Sequence, residues 1–189
     1  NGGACYLQTN TLNVVDSLFN NNSANADSGA LYIYNSTASI DNCIITNNKA
    51  GSKGVAIKES MPTDSSIPIT KLTITNSVIE NNTGTSETLP AIYVDMTTLD
   101  VSYSSLVNDL SLETRTAVGY DAVYGQGIAT VNNNWWGTND PSTKVTGKNI
   151  TMDNWVIMNV EANVTEAILG DTVKLTVDFN HVNTTDGDI

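Results

Sequence analysis

The chain has 189 residues, of which 20 are acidic and 8 basic, for a net charge of −12. That balance argues against a nucleic-acid partner, because phosphate binding needs clustered Lys and Arg, whereas Lys49, Lys53, Lys58, Lys71 and Arg115 are scattered. The 25 Asn and 25 Thr favour turns and strands, and no run of about 18 apolar residues is present to span a membrane.

In chain order, the first strand signal is GGACYL from Gly2, with counterparts SGALYI from Ser28, KGVAIK from Lys53 and LPAIYV from Leu89. Each precedes a longer phrase: LNVVDSLFNNN from Leu12, ASIDNCIITNN from Ala38, LTITNSVIENN from Leu72, LDVSYSSLVND from Leu99 and the degenerate ATVNNNWWG from Ala129. Three columns align without gaps. They are Val14, Ile40, Ile74, Val101, Val131; then Ser17, Cys43, Ser77, Ser104, Asn134; then Phe19, Ile45, Ile79, Leu106, Trp136. The unequal steps along the first column, 26, 34, 27 and 30, fit stacked repeats that carry loops of different length. Cys5, Leu31 and Ile92 each lie nine positions before that column, and Val55 lies nineteen before Ile74, which places an insertion between Lys58 and Lys71.

Within the long phrase the inward residues step by two, then three, then two, so the chain turns a corner at the three-residue step. The residues there are Asp16, Asn42, Asn76, Tyr103 and Asn133, and Asn and Asp accept left-handed backbone more readily than other non-glycine residues. Strands with corners, stacked in register and lacking any helical period, predict an all-β fold, a right-handed parallel β-helix. Asn21, Asn47, Asn81 and Asn108 form a further column, read as a ladder of side-chain amides bonded along the stack.

Alternation places Tyr6, Tyr32 and Tyr93 on the outer face of one sheet. With Tyr34, and with the loops Ser60 to Ile67 and Gly84 to Leu89, they are the candidate ligand-binding residues, because exposed rings in a row suit sugar faces. The competing reading is an exterior ladder that covers the sheet. Glycosylation sequons begin at Asn21, Asn35, Asn81, Asn149, Asn163 and Asn183. Cys5 and Cys43 occupy different columns and read as free buried thiols rather than a disulfide.

Trp135, Trp136 and Trp155, with Gly137, Asp140 and Pro141 breaking the repeat, read as a cap. Two alternating runs follow, Val156 to Val160 and Val173 to Phe179, separated by Gly170 and Asp171. They look like the opening strands of an immunoglobulin-like sandwich, which needs about 100 residues in all. The expected organisation is therefore β-helix repeats over 1–137, a cap or linker over 138–155, and a truncated immunoglobulin-like segment over 156–189.

GGAC at Gly2, LFNNN at Leu18, SGALY at Ser28, the NNWWGTNDPS run from Asn133 and the GDTVKLTVDF run from Gly170 together resemble the large adhesin-like surface proteins of methanogenic archaea. The resemblance implies a right-handed parallel β-helix, extracellular display and attachment to glycans or proteins of another cell. It implies no catalytic residue. No cofactor is expected from the residues, with calcium among the acidic loops left open. The alternative is a lyase or hydrolase acting on acidic polysaccharides, for which Asp95, Asp100, Asp109, Asp121 and Arg115 are the groups to gather. No Asp-Asp pair or His-containing motif supports it, and the lone His181 lies in the tail as an exposed residue.

Overall fold

The computed structural model describes residues 2–8, 10–60, 70–86, 89–95, 97–108, 111–115, 128–147, 149–184 and 187–188. Among them all regular structure is β, in four parallel sheets and one antiparallel sheet. The first sheet stacks Cys5–Gln8, Leu31–Tyr34, Ile57–Ser60, Ile92–Asp95, Leu112–Arg115 and Val145–Thr146 in that order. The second stacks Thr11–Val15, Thr37–Asp41, Lys71–Thr75, Thr98–Ser102, Ala129–Thr130 and Ile150–Thr151. The third holds Leu18–Asn20, Ile44–Thr46, Val78–Glu80 and Ser105–Val107, and the fourth Ser23–Ala24, Lys49–Ala50 and Thr83–Gly84. Strands that follow one another in the chain thus lie in successive sheets, and strands that neighbour one another in a sheet come from successive repeats.

The register matches the sequence columns. Val14 pairs with Ile40, Ile40 with Ile74, and Ile74 with Val101, while Phe19, Ile45, Ile79 and Leu106 pair likewise. Ile40, Ile74, Val101, Val131, Ile45, Ile79, Leu106 and Trp136 are buried in one continuous core. Each such side chain contributes about 1.5–3 kcal/mol by leaving water, which makes these columns the main stabilising feature. Val14 and Phe19 pack against the core yet are only half-buried, because among the described residues no strand pairs with the far side of their repeat. The corner residues Asp16, Asn42, Asn76, Tyr103 and Asn133 all adopt left-handed backbone, with φ between 50° and 59°.

The amide ladder is real but lies one position later than expected. Asn22 Nδ2 donates to Asn48 Oδ1 at 2.9 Å, Asn48 Nδ2 to Asn82 Oδ1 at 2.9 Å, and Asn82 Nδ2 to Asn108 Oδ1 at 3.5 Å. Asn21, Asn47 and Asn81 are instead a second row of left-handed corners, at φ 59°, 56° and 55°, with exposed side chains. The corner turns the chain so that the residue after it points inward. Asn108 has no left-handed residue before it and takes the inward place directly.

The first-sheet register also differs from the expected one. Ile57, not Val55, pairs with Leu31 and with Ile92, since the recurring anchor is the column of buried alanines Ala30, Ala56 and Ala91 just before these residues. The inserted stretch then falls between Ser60 and Thr70, and residues 61–69 lie outside the described residues. Gly29 is required where this strand begins, because a Cβ there would meet the Lys49 nitrogen and the Val55 carbonyl oxygen at 2.6 Å.

Parallel pairing continues past Gly137 into the segment read as a cap: Val145 pairs with Leu112 and Ile150 with Ala129. Asn154–Ala162 and Leu175–Thr184 then form a long antiparallel hairpin, joined by Gly187–Asp188. It docks through Trp135, whose ring meets Phe179 edge-on at 5.0 Å, and through Asn139, whose amide donates to the Met158 carbonyl and accepts from the Met158 N–H. Both cysteines are free, Cys43 buried and Cys5 half-buried. A maleimide reagent is therefore expected to label Cys5 in the native protein and Cys43 only after denaturation, which mass spectrometry of the labelled peptides checks.

Candidate functional site

The outward column of the first sheet reads Tyr6, Tyr32, Lys58, Tyr93. Tyr6 and Tyr32 stack at 5.2 Å, as the sequence suggests, but Lys58 interrupts the row. Its ammonium lies 5.2 Å from the Tyr32 ring centre and 5.8 Å from that of Tyr93, and pairs with Asp27 at 2.8 Å; Lys53 lies 4.9 Å over Tyr93. Tyr32 and Tyr93 retain only 8% and 3% of their surface, against 48% for Tyr6, and Tyr34 is half-buried. The expected open aromatic face is thus largely closed by cation–π packing and leaves a ligand mainly Tyr6.

Within the parallel sheets, exposed apolar side chains gather along the corner between the second and third sheets; others lie on the hairpin, from Met158 to Phe179. Leu18 is 63% exposed, Ile44 47% and Val15 45%, with Val78 half-buried in the same outward column as Leu18 and Ile44. Equivalent positions of three repeats, Asp16 to Leu18, Asn42 to Ile44, and Asn76 with Val78, line an open groove of about 380 Å³. Its polar edge is tied together across repeats. Asn42 Nδ2 donates to Asp16 Oδ1 at 2.6 Å, while Asn76 Nδ2 and Thr75 Oγ1 donate to Asp41 Oδ1 at 2.9 and 2.7 Å. These two hydrogen bonds, Thr75 first, hold the Asp41 carboxyl below its ordinary range and keep it an acceptor.

Tyr103 follows Asn76 in this corner row and is 67% exposed at φ 53°. A left-handed conformation costs a bulky residue roughly 1–2 kcal/mol. A side chain so exposed recovers little of that by packing, so the tyrosine is a local violation that the fold itself does not require.

The third feature has no sequence signal. Glu59 occupies an inward position of the first sheet, pairing with Ile33 and Val94, and is wholly buried. Its Oε1 accepts from Thr70 Oγ1 at 2.9 Å, Thr70 Oγ1 contacts Thr97 Oγ1 at 3.2 Å, and Glu59 Oε2 has no hydrogen-bond partner. Burial pushes the Glu59 carboxyl up to about 8; the Thr97 and Thr70 hydrogen bonds oppose this, and the charge on Asp95 adds to it. The group is consequently protonated at neutral pH.

Of the acids considered for catalysis, Asp95 ends a first-sheet strand, Asp100 lies in the second sheet beside Lys71 at 3.4 Å, and Asp109 and Asp121 lie outside the described residues. Arg115 closes the Leu112–Arg115 strand. His181 is exposed in the hairpin, 3.6 Å from Asp178. Among the described residues no three His, Cys, Asp or Glu side chains are grouped to hold a metal, and no helix is long and apolar enough to cross a membrane. The sequon residues Asn21, Asn81, Asn149 and Asn163 are exposed, and Asn35 and Asn183 half-buried. The chain matches no family model, no curated protein and no solved structure.

Proposed function

We propose that this chain is a non-catalytic attachment module of an extracellular surface protein, in which the stacked repeats close into a right-handed parallel β-helix and the hairpin opens an immunoglobulin-like domain. The observation that carries the reading is the fixed order in which the chain visits four parallel sheets with matched register. Connections between parallel strands of a sheet are right-handed in nearly all proteins, which supports the hand. Such a stack is stiff and presents the same surface at regular intervals, so weak contacts to glycans or proteins of another cell add up across sites. A polysaccharide-cleaving alternative gains nothing from Glu59, whose carboxyl is raised toward neutrality as a general acid requires but is sealed from any polymer.

The test is retention. Fluorescently labelled protein is expected to stay on a panel of microbial cells and purified cell walls after washing, and to be displaced by excess unlabelled protein. Release of unsaturated or reducing ends from polyuronates, or no retention on any surface, would overturn the reading.

A further inference from the structure

We propose that the groove at the corner between the second and third sheets binds a neutral, extended polysaccharide lying along the stacking direction, with Tyr103 as its aromatic platform. The inference rests on the attachment reading for its biological purpose, but its physical basis is separate.

Three observations select the ligand. The groove repeats at strand spacing, about 4.8 Å, which is close to the advance of one hexopyranose in an extended chain. Each sugar ring therefore meets the same pair of surfaces: an aliphatic side chain from Leu18, Ile44 or Val78, and a polar corner residue from Asp16, Asn42 or Asn76. Leu18 and Ile44 are exposed although they sit in regular strands. They offer the apolar surface that the C–H face of a pyranose covers.

The polar edge selects by charge. Asp16 and Asp41 are acceptors and no Lys or Arg lines the groove, so hydroxyl donors are favoured and an acidic polymer is repelled by the groove and by the net charge of −12. A peptide is disfavoured for a different reason. The lining strands of the second and third repeats already spend their backbone hydrogen bonds on neighbouring repeats, so an added strand could pair only with the outer edge of Leu18–Asn20 and would not lie along the groove.

Tyr103 supplies the third observation. Asp or Asn fills every other place in its row, and all share its left-handed backbone. An exposed ring held there against its conformational preference, one repeat beyond Asn76, extends the strip to a fourth repeat where a sugar face stacks.

The experiment measures calorimetric binding of linear β-1,4-linked gluco-, manno-, xylo- and N-acetylglucosamine hexasaccharides, with an oligogalacturonate hexamer as the acidic comparison. At least one neutral hexasaccharide is expected to bind, and its disaccharide at least tenfold more weakly because it spans fewer repeats. Tyr103→Asn restores the residue type of the row, so it is expected to raise the melting temperature while weakening binding at least fivefold. Ile44→Asp is expected to weaken binding at least tenfold with an unchanged far-ultraviolet spectrum, and Tyr6→Ala to leave it within twofold. Tighter binding of the acidic hexamer, equal binding of disaccharide and hexasaccharide, no binding of any neutral hexasaccharide at millimolar concentration, or full binding by Tyr103→Asn would each overturn the proposal. Cell retention that survives both groove substitutions would remove the groove and keep attachment. Hexasaccharide binding without cell retention would do the reverse.

Discussion

Replacing Glu59 with Gln is expected to leave stability almost unchanged at pH 4.5 and to raise it by several kcal/mol above pH 8. The carboxyl ionises near 4.5 in the unfolded chain and near 8 in the fold, where burial is the main cause. The folded state therefore holds the proton more tightly, unfolding releases it, and the Glu59 contribution to stability falls as pH rises through that window. A difference of this size is worth about 5 kcal/mol once both forms have titrated, and about 3 kcal/mol at neutral pH. Gln keeps the shape and the acceptor that Thr70 uses but cannot ionise. Urea unfolding of both proteins across pH 4.5 to 8 isolates the effect, because the other acidic groups cancel in the difference. Parallel stability curves would show that the carboxyl is ionised in the folded protein without penalty.

Asn47 and Asn48, adjacent and identical in type, are expected to respond to alanine in opposite ways. Asn48 is fully buried; its amide donates to Asn82 Oδ1 and to the Phe19 carbonyl, and its Oδ1 accepts from the backbone and side chain of Asn22. Truncation orphans several buried groups at about 1–3 kcal/mol each, so a loss of about 3–5 kcal/mol is expected. Asn47 is exposed at φ 56°, with a single side-chain bond to Asn20 Oδ1. Its alanine variant is expected to lose about 1 kcal/mol, and Asn47→Gly less, since glycine accepts the left-handed backbone. Equal losses at 47 and 48, measured by denaturant unfolding, would contradict the ladder as placed.

That pair also shows how far the sequence could be read. The two-three-two spacing located the Asp16 and Asn42 corners and the Val14 and Phe19 columns, because inward side chains are apolar and the bend needs a tolerant residue. It could not say which of two neighbouring asparagines points inward, since only the backbone geometry of the corner decides that. Alternation likewise placed Tyr32 and Tyr93 outward but carried no information about what covers an outward face; Lys58 and Lys53 do so. An alignment of Val55 with Leu31 leaves Lys58 out of the tyrosine column, whereas the observed pairing of Leu31 with Ile57 puts it there, the sign that the column is a packed ladder. Glu59 was illegible because a strand reading Ile, Lys, Glu, Ser gives no hint that its acid faces the core. The groove was half legible: its corner row was found, whereas the exposure of Leu18 and Ile44 depends on how the third sheet turns.

Hydrogen-bonded partners in the stack are separated by a single repeat, 26 positions from Val14 to Ile40, 34 from Ile40 to Ile74 and 27 from Ile74 to Val101. No described strand of the four parallel sheets reaches past its neighbour, so cooperativity passes hand to hand as in a one-dimensional lattice. A core substitution therefore weakens its own layer first and the layers beside it next: loosening Ile74 is expected to speed amide exchange at Ile40 and Val101 more than at Val131.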